Sequence, residues 1–347
     1  YKDSAGNTST ANDTIIFDNV APSVPTLQSP SNNSTSNDNT PLVNWSDSTG
    51  TPSAYNLQVD DSSGFGSPNV NGTYSASGTT LTTLSDGTYY WRVRSRDAAG
   101  NYSSFTSAFN FTVDTVGPTS PSITINGGTY TTSTSVTLAL SASGAAQMQF
   151  KNGSGAYSTY ENYATSKSWT LANTQGTRTV TVRYKDSAGN TSTANDTIIF
   201  DNVAPSVPAL SSPANGTYTN DTTPAFAWSA STGSPTQYTI QVDNNSNFGS
   251  VTWTSSPTST SATASTLGDA TYYWHVRARD AAGNWSAYSG SRTVQVDGTG
   301  PTNPSININS SATYTTSTSV TLALSASGAS QMQFKNGSGS YSSYETY

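Results

Sequence analysis

No cysteine occurs in the 347 residues, so disulfides, thiol nucleophiles and zinc–thiolate sites are ruled out for this chain. Histidine is nearly as scarce, with His275 standing alone. Charged residues make up 10% of the chain and hydrophobic ones 33%. No apolar run approaches the roughly 20 residues that cross a bilayer as a helix. Positive charge is also short: 13 Lys and Arg face 20 Asp and Glu, for a net charge of −7. That balance disfavours nucleic acid and anionic membrane as partners. Secreted eukaryotic β modules often carry disulfides, so their absence tilts the reading toward a prokaryotic surface. No signal peptide is visible, and both ends read as cuts in a longer chain.

What the chain does have is Ser and Thr, roughly a third of all residues, and 11% aromatics. With frequent Val, Ile and Thr this points to many short strands rather than disorder. It also repeats. The stretch Tyr1 to Pro22 returns letter for letter from Tyr184 to Pro205, and the same offset carries Trp45 onto Trp228 and Trp91 onto Trp274. A solenoid unit usually runs about 20–50 residues, so this period is two small β domains instead. Proline-bearing junctions such as Val116-Gly-Pro-Thr-Ser-Pro121 and Val203-Ala-Pro-Ser-Val-Pro208 divide two alternating module types. Proline fixes φ and restricts its neighbour, which makes these junctions stiff.

Module A covers residues 22–118 and 205–301. Tyr55, Leu57 and Val59 alternate with polar residues, and the run from Tyr89 to Arg96 sends Tyr89, Trp91 and Val93 inward with Tyr90, Arg92, Arg94 and Arg96 outward. Module B covers 119–204, with its end at 1–21 and its beginning again at 302–347. Val136, Leu138 and Leu140 alternate there, as do Met148 and Phe150, and Asn152-Gly153 and Asn336-Gly337 predict tight hairpin turns.

On its Trp45 strand, its Tyr55 strand and Leu84-Ser-Asp-Gly-Thr-Tyr89-Tyr-Trp91, module A resembles a fibronectin type III domain. The resemblance implies a core Trp and a tyrosine corner framed by Leu84 and Tyr89. Module B resembles the Ig-like repeats of large bacterial and archaeal surface proteins, through Thr179-Val-Thr-Val-Arg-Tyr184 and Asp196-Thr-Ile-Ile-Phe-Asp201. The expected fold is therefore all-β: tandem Greek-key sandwiches in an extended rod.

One polar pattern recurs in every module: Asp3-Ser-Ala-Gly-Asn7, Asp97-Ala-Ala-Gly-Asn101, Asp186-Ser-Ala-Gly-Asn190 and Asp280-Ala-Ala-Gly-Asn284. A second Asp follows each last strand, at Asp18, Asp114, Asp201 and Asp297. Sandwich geometry puts the turn at the pole facing the preceding module and the second Asp at the pole facing the next. Asp18 should then approach Asp97 and Asn101, Asp114 should approach Asp186 and Asn190, and Asp201 should approach Asp280 and Asn284. Asp and Asn cap such turns through the backbone while Gly supplies positive φ, so a metal-free turn is the simpler reading. The alternative is Ca²⁺, which takes about six to eight oxygen ligands. Similar repeats in large adhesins use calcium to stiffen junctions.

Catalytic machinery is missing. His275 replaces Arg92 on an outward strand face and reads as a solvated residue. Module B has neither His nor Cys, no close carboxylate pair suggests glycosidase chemistry, and there is no phosphate loop. The outward Arg row reads as a solvated face balancing acidic neighbours, with a ligand stripe as the alternative. Sequons number about 17 against roughly 10 expected from composition, so glycosylation is allowed without being indicated.

The sequence thus predicts an extracellular, cell-surface structural protein: a fibre, stalk or adhesin shaft whose partners are neighbouring copies or continuing modules. The second reading is a spacer or glycan-binding appendage of a secreted glycan-degrading enzyme, which a flat row of exposed aromatics on one sheet would favour; only Tyr and a few Trp could serve, and Trp253 and Trp285 have no Trp counterpart in the first copy. The out-of-phase ends suggest a window cut from a continuous fibre, or else neighbouring chains that donate strands.

Overall fold

Alternation of apolar and polar residues becomes strands with one buried face. In the computed structural model, which describes residues 1–347, the strand Gly87–Asp97 buries Tyr89, Trp91 and Val93 and turns Tyr90, Arg92, Arg94 and Arg96 to the opposite face. Pro52–Asp60 buries Tyr55, Leu57 and Val59 in the same way. The chain divides into two compact units, residues 1–200 and 201–347.

In the first unit, β1 (Leu27–Ser29), β2 (Ser34–Ser36), β3 (Leu42–Trp45), β4 (Pro52–Asp60), β5 (Val70–Tyr74), β6 (Gly78–Thr80), β7 (Gly87–Asp97) and β8 (Phe109–Val113) form two sheets, ordered β1-β3-β6 and β2-β8-β7-β4-β5. Between them lies a core that includes Trp45, Leu57, Trp91 and Phe111. Trp45 meets Tyr55 edge-on at 5.5 Å, a geometry the ring quadrupoles favour. The Tyr89 hydroxyl donates to the Ser85 carbonyl at 3.0 Å; this is the tyrosine corner that the resemblance implies, next to the buried Leu84.

The same unit continues with β9 (Thr119–Ile125), β10 (Tyr130–Thr131), β11 (Ser135–Ser143), β12 (Gln147–Asn152), β13 (Glu161–Asn162), β14 (Ser166–Thr170), β15 (Gly176–Lys185) and β16 (Thr191–Phe200). Sheets β14-β11-β9 and β10-β16-β15-β12-β13 enclose a separate core around Leu138, Phe150, Val182 and Tyr184. Each fully buried Val, Leu or Phe here contributes about 1.5–3 kcal/mol. Tyr184 donates to the Ser122 carbonyl at 2.6 Å, and burial pushes its hydroxyl up to about 12. Residues 1–21 have a single bridge, Lys2 to Thr8, and leave Ile15, Ile16 and Phe17 exposed.

The second unit repeats the first sandwich. Leu210–Ser212, Ala225–Trp228 and Ser261–Thr263 form one sheet; Thr217–Thr219, Arg292–Val296, Ala270–Asp280, Pro235–Asp243 and Trp253–Ser255 form the other. Beyond it, Thr302–Ile308 pairs with Leu322–Ser327, and Gln331–Met332 with Glu345–Thr346.

Tight turns form at both Asn-Gly pairs, where the Gly155 N–H donates to the Asn152 carbonyl at 2.9 Å and the Gly339 N–H to the Asn336 carbonyl at 3.0 Å. The turn at Asn152 lies within a longer loop, since β12 meets β13 only at Gln147–Asn162 and Met148–Glu161. The Asn152 side chain accepts from the Trp169 indole at 2.8 Å and donates to the Thr170 carbonyl at 3.0 Å. Ser158 then returns to pair with Phe150. The Asn336-Gly337 loop likewise returns through Ser342 to Phe334.

Candidate functional site

Each Asp-x-x-Gly-Asn segment closes on itself. The Asp97 Oδ1 accepts the Gly100 and Asn101 main-chain N–H groups at 2.7 and 2.9 Å, and Oδ2 accepts the Asn101 amide at 2.8 Å. Asp186 and Asp280 repeat this with Asn190 and Asn284. The glycine takes φ of +97° at Gly100 and +103° at Gly189, which a side chain would strain. Asp3 and Asn7 make the same turn in the exposed segment 1–21, so the turn needs no neighbour to form. The amides of Asn7 and Asn101 are the main reason that Asp3 and Asp97 hold their protons less tightly than ordinary aspartates.

The expected pairs do meet, through one repeated bond. The Asn101 amide donates to the Asp18 carbonyl at 3.1 Å, Asn190 to the Asp114 carbonyl at 2.7 Å, and Asn284 to the Asp201 carbonyl at 3.0 Å. The carboxylates of Asp18, Asp114 and Asp201 turn instead to the N–H groups of Val20, Val116 and Val203. As ligands to a cation the residues fit only after rearrangement. The oxygens of Asp97 and Asp186 already accept N–H groups, and the Asn side chains present NH₂ rather than oxygen.

Between the two sandwiches of the first unit, Asn37 N–H adds a bond to the Ala188 carbonyl at 3.1 Å. Gly117 runs so close that a Cβ there would stand 3.1 Å from the Thr191 carbonyl oxygen. Ser95, fully buried, ties β7 to the preceding linker through the Ser23 carbonyl at 2.8 Å.

The outward face of β7 reaches solvent, with Arg96 exposed, but aromatic rings rather than acidic neighbours line it. Arg92 lies between Phe65 and Phe105 at 4.0 and 4.3 Å, Arg94 between Tyr102 and Phe105 at 4.0 and 4.6 Å, and Arg96 over Tyr102 at 5.4 Å. The second unit repeats the stack with Arg277 and Arg279 on Trp285 and Tyr288. His275 is half-buried rather than freely solvated. Its ring is sandwiched between Phe248 and Tyr288 at 3.7 and 3.8 Å, with Nε2 2.9 Å from Gln241 Oε1. Burial first, and then the Arg277 charge, pushes its pKa down to about 4. A salt bridge joins Lys167 to Glu161 at 2.7 Å.

Except for Phe65 and Phe248, the rings come from a pattern that sequence reading passed over: Tyr102-Ser-Ser-Phe105, Tyr157-Ser-Thr-Tyr160, Trp285-Ser-Ala-Tyr288 and Tyr341-Ser-Ser-Tyr344. In each, the first Ser hydroxyl accepts a main-chain N–H, from core strands at Ser95, Phe150 and Ala278 and from Phe334 just past the strand Gln331–Met332. The spacing aromatic-Ser-x-aromatic, four times over, was the available signal. Trp253, which has no Trp counterpart in the first copy, packs on the core and stacks with Phe226 at 6.2 Å.

Residues 24–115 and 211–298, just over half of the chain, match the profile of a family described as bacterial Ig-like domain. Both segments are modules whose sequence resembles fibronectin type III. Chitinase A1 of Niallia circulans is 33% identical over 210 residues, which cover 56% of this chain and 28% of the chitinase. Exoglucanase B of Cellulomonas fimi is 34% identical over 231 residues, 59% of this chain and 20% of that protein. The chain thus spans well under a third of either relative. Among solved structures, fibronectin(III)-like modules of Clostridium thermocellum CbhA align at 13% identity with a TM-score of 0.36, covering 51% of this chain and 94% of theirs. A tetra-tandem repeat from the extending region of a large adhesion protein aligns at 17% identity, 88% coverage of each chain and a TM-score of 0.27.

Proposed function

The chain belongs to the bacterial Ig-like domain family, and from that premise we propose that it is a non-catalytic, extracellular shaft whose work is to hold successive sandwiches at fixed spacing. The observation that carries this reading is the repeated junction bond from an Asn amide to the preceding linker carbonyl. An Asn whose amide is already oriented by its own Asp gives up little rotamer entropy when it binds the linker. Short proline linkers and this bond together restrict bending, while Ser, Thr and Asn surfaces limit adhesion between shafts. The proposed setting is a fibre, stalk or adhesin shaft on a prokaryotic surface, with neighbouring modules as partners.

The test uses the absence of native cysteine. Spin labels at Ser75→Cys and Thr165→Cys in the full chain should give a narrow distance distribution that broadens with Asn190→Ala. A broad distribution in the parent chain would overturn the reading.

A second setting, a spacer or glycan-binding appendage of a secreted glycan-degrading enzyme, is favoured by the similarity to chitinase A1 and exoglucanase B. Retention of neutral glycans by the full chain would support it. Calcium at the junctions, from Asp18, Asp97, Asn101 and their counterparts, would require the Asn amides to turn their oxygens toward the linker.

A further inference from the structure

An acidic chain leaves a row of positive charge without acid partners along the outward face of β7. On the outward face of β7, Arg92 Nε donates to Gln58 Oε1 at 2.9 Å and Arg94 Nε to Asn56 Oδ1 at 3.3 Å. Arg96 packs only on Tyr102. No carboxylate pairs with any of the three. Their terminal guanidinium nitrogens make no hydrogen bond within the chain, and none of them is among its buried unpaired polar atoms, so they reach solvent. Ring faces and Nε bonds fix the orientation of the Arg92 and Arg94 guanidinium groups, leaving the outer edge of each as a fork of donors with little freedom to lose, while Arg96 is held by one ring face alone.

We propose that this strip is a docking surface for a linear anionic polysaccharide, a carboxylate-bearing chain that lies along β7 and is held by Arg92, Arg94 and Arg96. Alternate residues of a strand lie about 6.6–6.8 Å apart, so the three forks form a straight row about 13 Å long that suits an extended polymer with spaced charges. Forked guanidinium donors match the two oxygens of a carboxylate. Partners of dense charge fit less well. A chain of net charge −7 repels a nucleic acid or an anionic bilayer over a wide area, whereas a sparse polymer meets only the strip within a Debye length of about 8–10 Å.

The repeat supplies a built-in comparison. The second copy keeps the same stack but has His275 in place of Arg92, and burial holds that imidazole neutral at pH 7. The first copy therefore carries three charges on the strip and the second two. Several strips along one chain would add by avidity even where each is weak. The proposal stands apart from whether the modules serve a shaft or an enzyme spacer, since it concerns one strand face.

The test is affinity electrophoresis and calorimetry of the full chain with polygalacturonate, with neutral dextran and double-stranded DNA as comparisons, at 20 and 200 mM salt. Both swap variants use residues that one copy already accommodates. Arg92→His should weaken polygalacturonate binding severalfold at low salt and flatten its salt dependence by about one ion, and His275→Arg should strengthen it by a similar factor. Dextran and DNA should not be retained. The proposal falls if polygalacturonate is not retained at low salt, if dextran or DNA binds as well, or if neither swap moves the affinity while circular dichroism shows both folded.

Discussion

His275 shows how much one residue can owe to its neighbours. Held between Phe248 and Tyr288, it titrates near 4 in the folded state against about 6.5 when unfolded. The unfolded chain therefore takes up a proton between about pH 6.5 and 4 that the folded chain refuses, so stability falls as pH drops through that window. For a half-buried ring the loss should be on the order of 1–2 kcal/mol after allowing for solvent screening. Thermal melts from pH 7.5 to 4.5 should show it, and His275→Arg should remove this component. Asn190 carries a different load. Its replacement by Ala leaves an oxygen of the buried Asp186 and the Asp114 carbonyl without their donor. A destabilisation of about 1–3 kcal/mol is expected, visible in urea unfolding; no change in midpoint would show the bond to be idle.

At the scale of elements, the strands were legible and some of their connections were not. Period-two alternation named the buried faces of β4, β7 and β11 residue by residue, because a pleated strand has only two sides. The Asn152-Gly153 pair does make a tight turn, but the length of the loop around it, with the Asn152 side chain bonded to Trp169 and Thr170, was not legible. The aromatic-Ser-x-aromatic segments have no strand alternation to read. They lie beside β7 and β12 by letting a Ser hydroxyl take the place of a strand carbonyl. Ser103→Ala strips the fully buried Ser95 N–H of its acceptor, and should cost about 1–3 kcal/mol in the first sandwich while sparing the second. Trp285→Phe would be milder, since a ring still faces Arg277.

For the whole molecule, three separate cores mean that no single unfolding event is expected. Leu138→Ala empties space in the second core only and should cost about 2–5 kcal/mol. Calorimetry should then show one transition lowered by several degrees and the others in place; a uniform shift would mean that the cores unfold together. Melts in chelator and in millimolar calcium should coincide if Asn amides alone close the junctions, whereas a calcium-dependent rise would assign an ion to Asp97, Asp186 and their partners.

By itself the sequence determined the repeat, the all-β class, the inward residues of most strands and which turns face which linkers. These follow from local rules, alternation and turn chemistry, that operate within a few residues. Only the tertiary structure decided what the outward arginines touch, how His275 loses its charge, and that a junction is made by an amide and a carbonyl rather than by converging carboxylates. Those outcomes depend on groups tens of residues apart in sequence, such as Asp114 with Asn190 and Arg92 with Phe65. Their meeting is fixed by how the sheets stack, which no local pattern encodes.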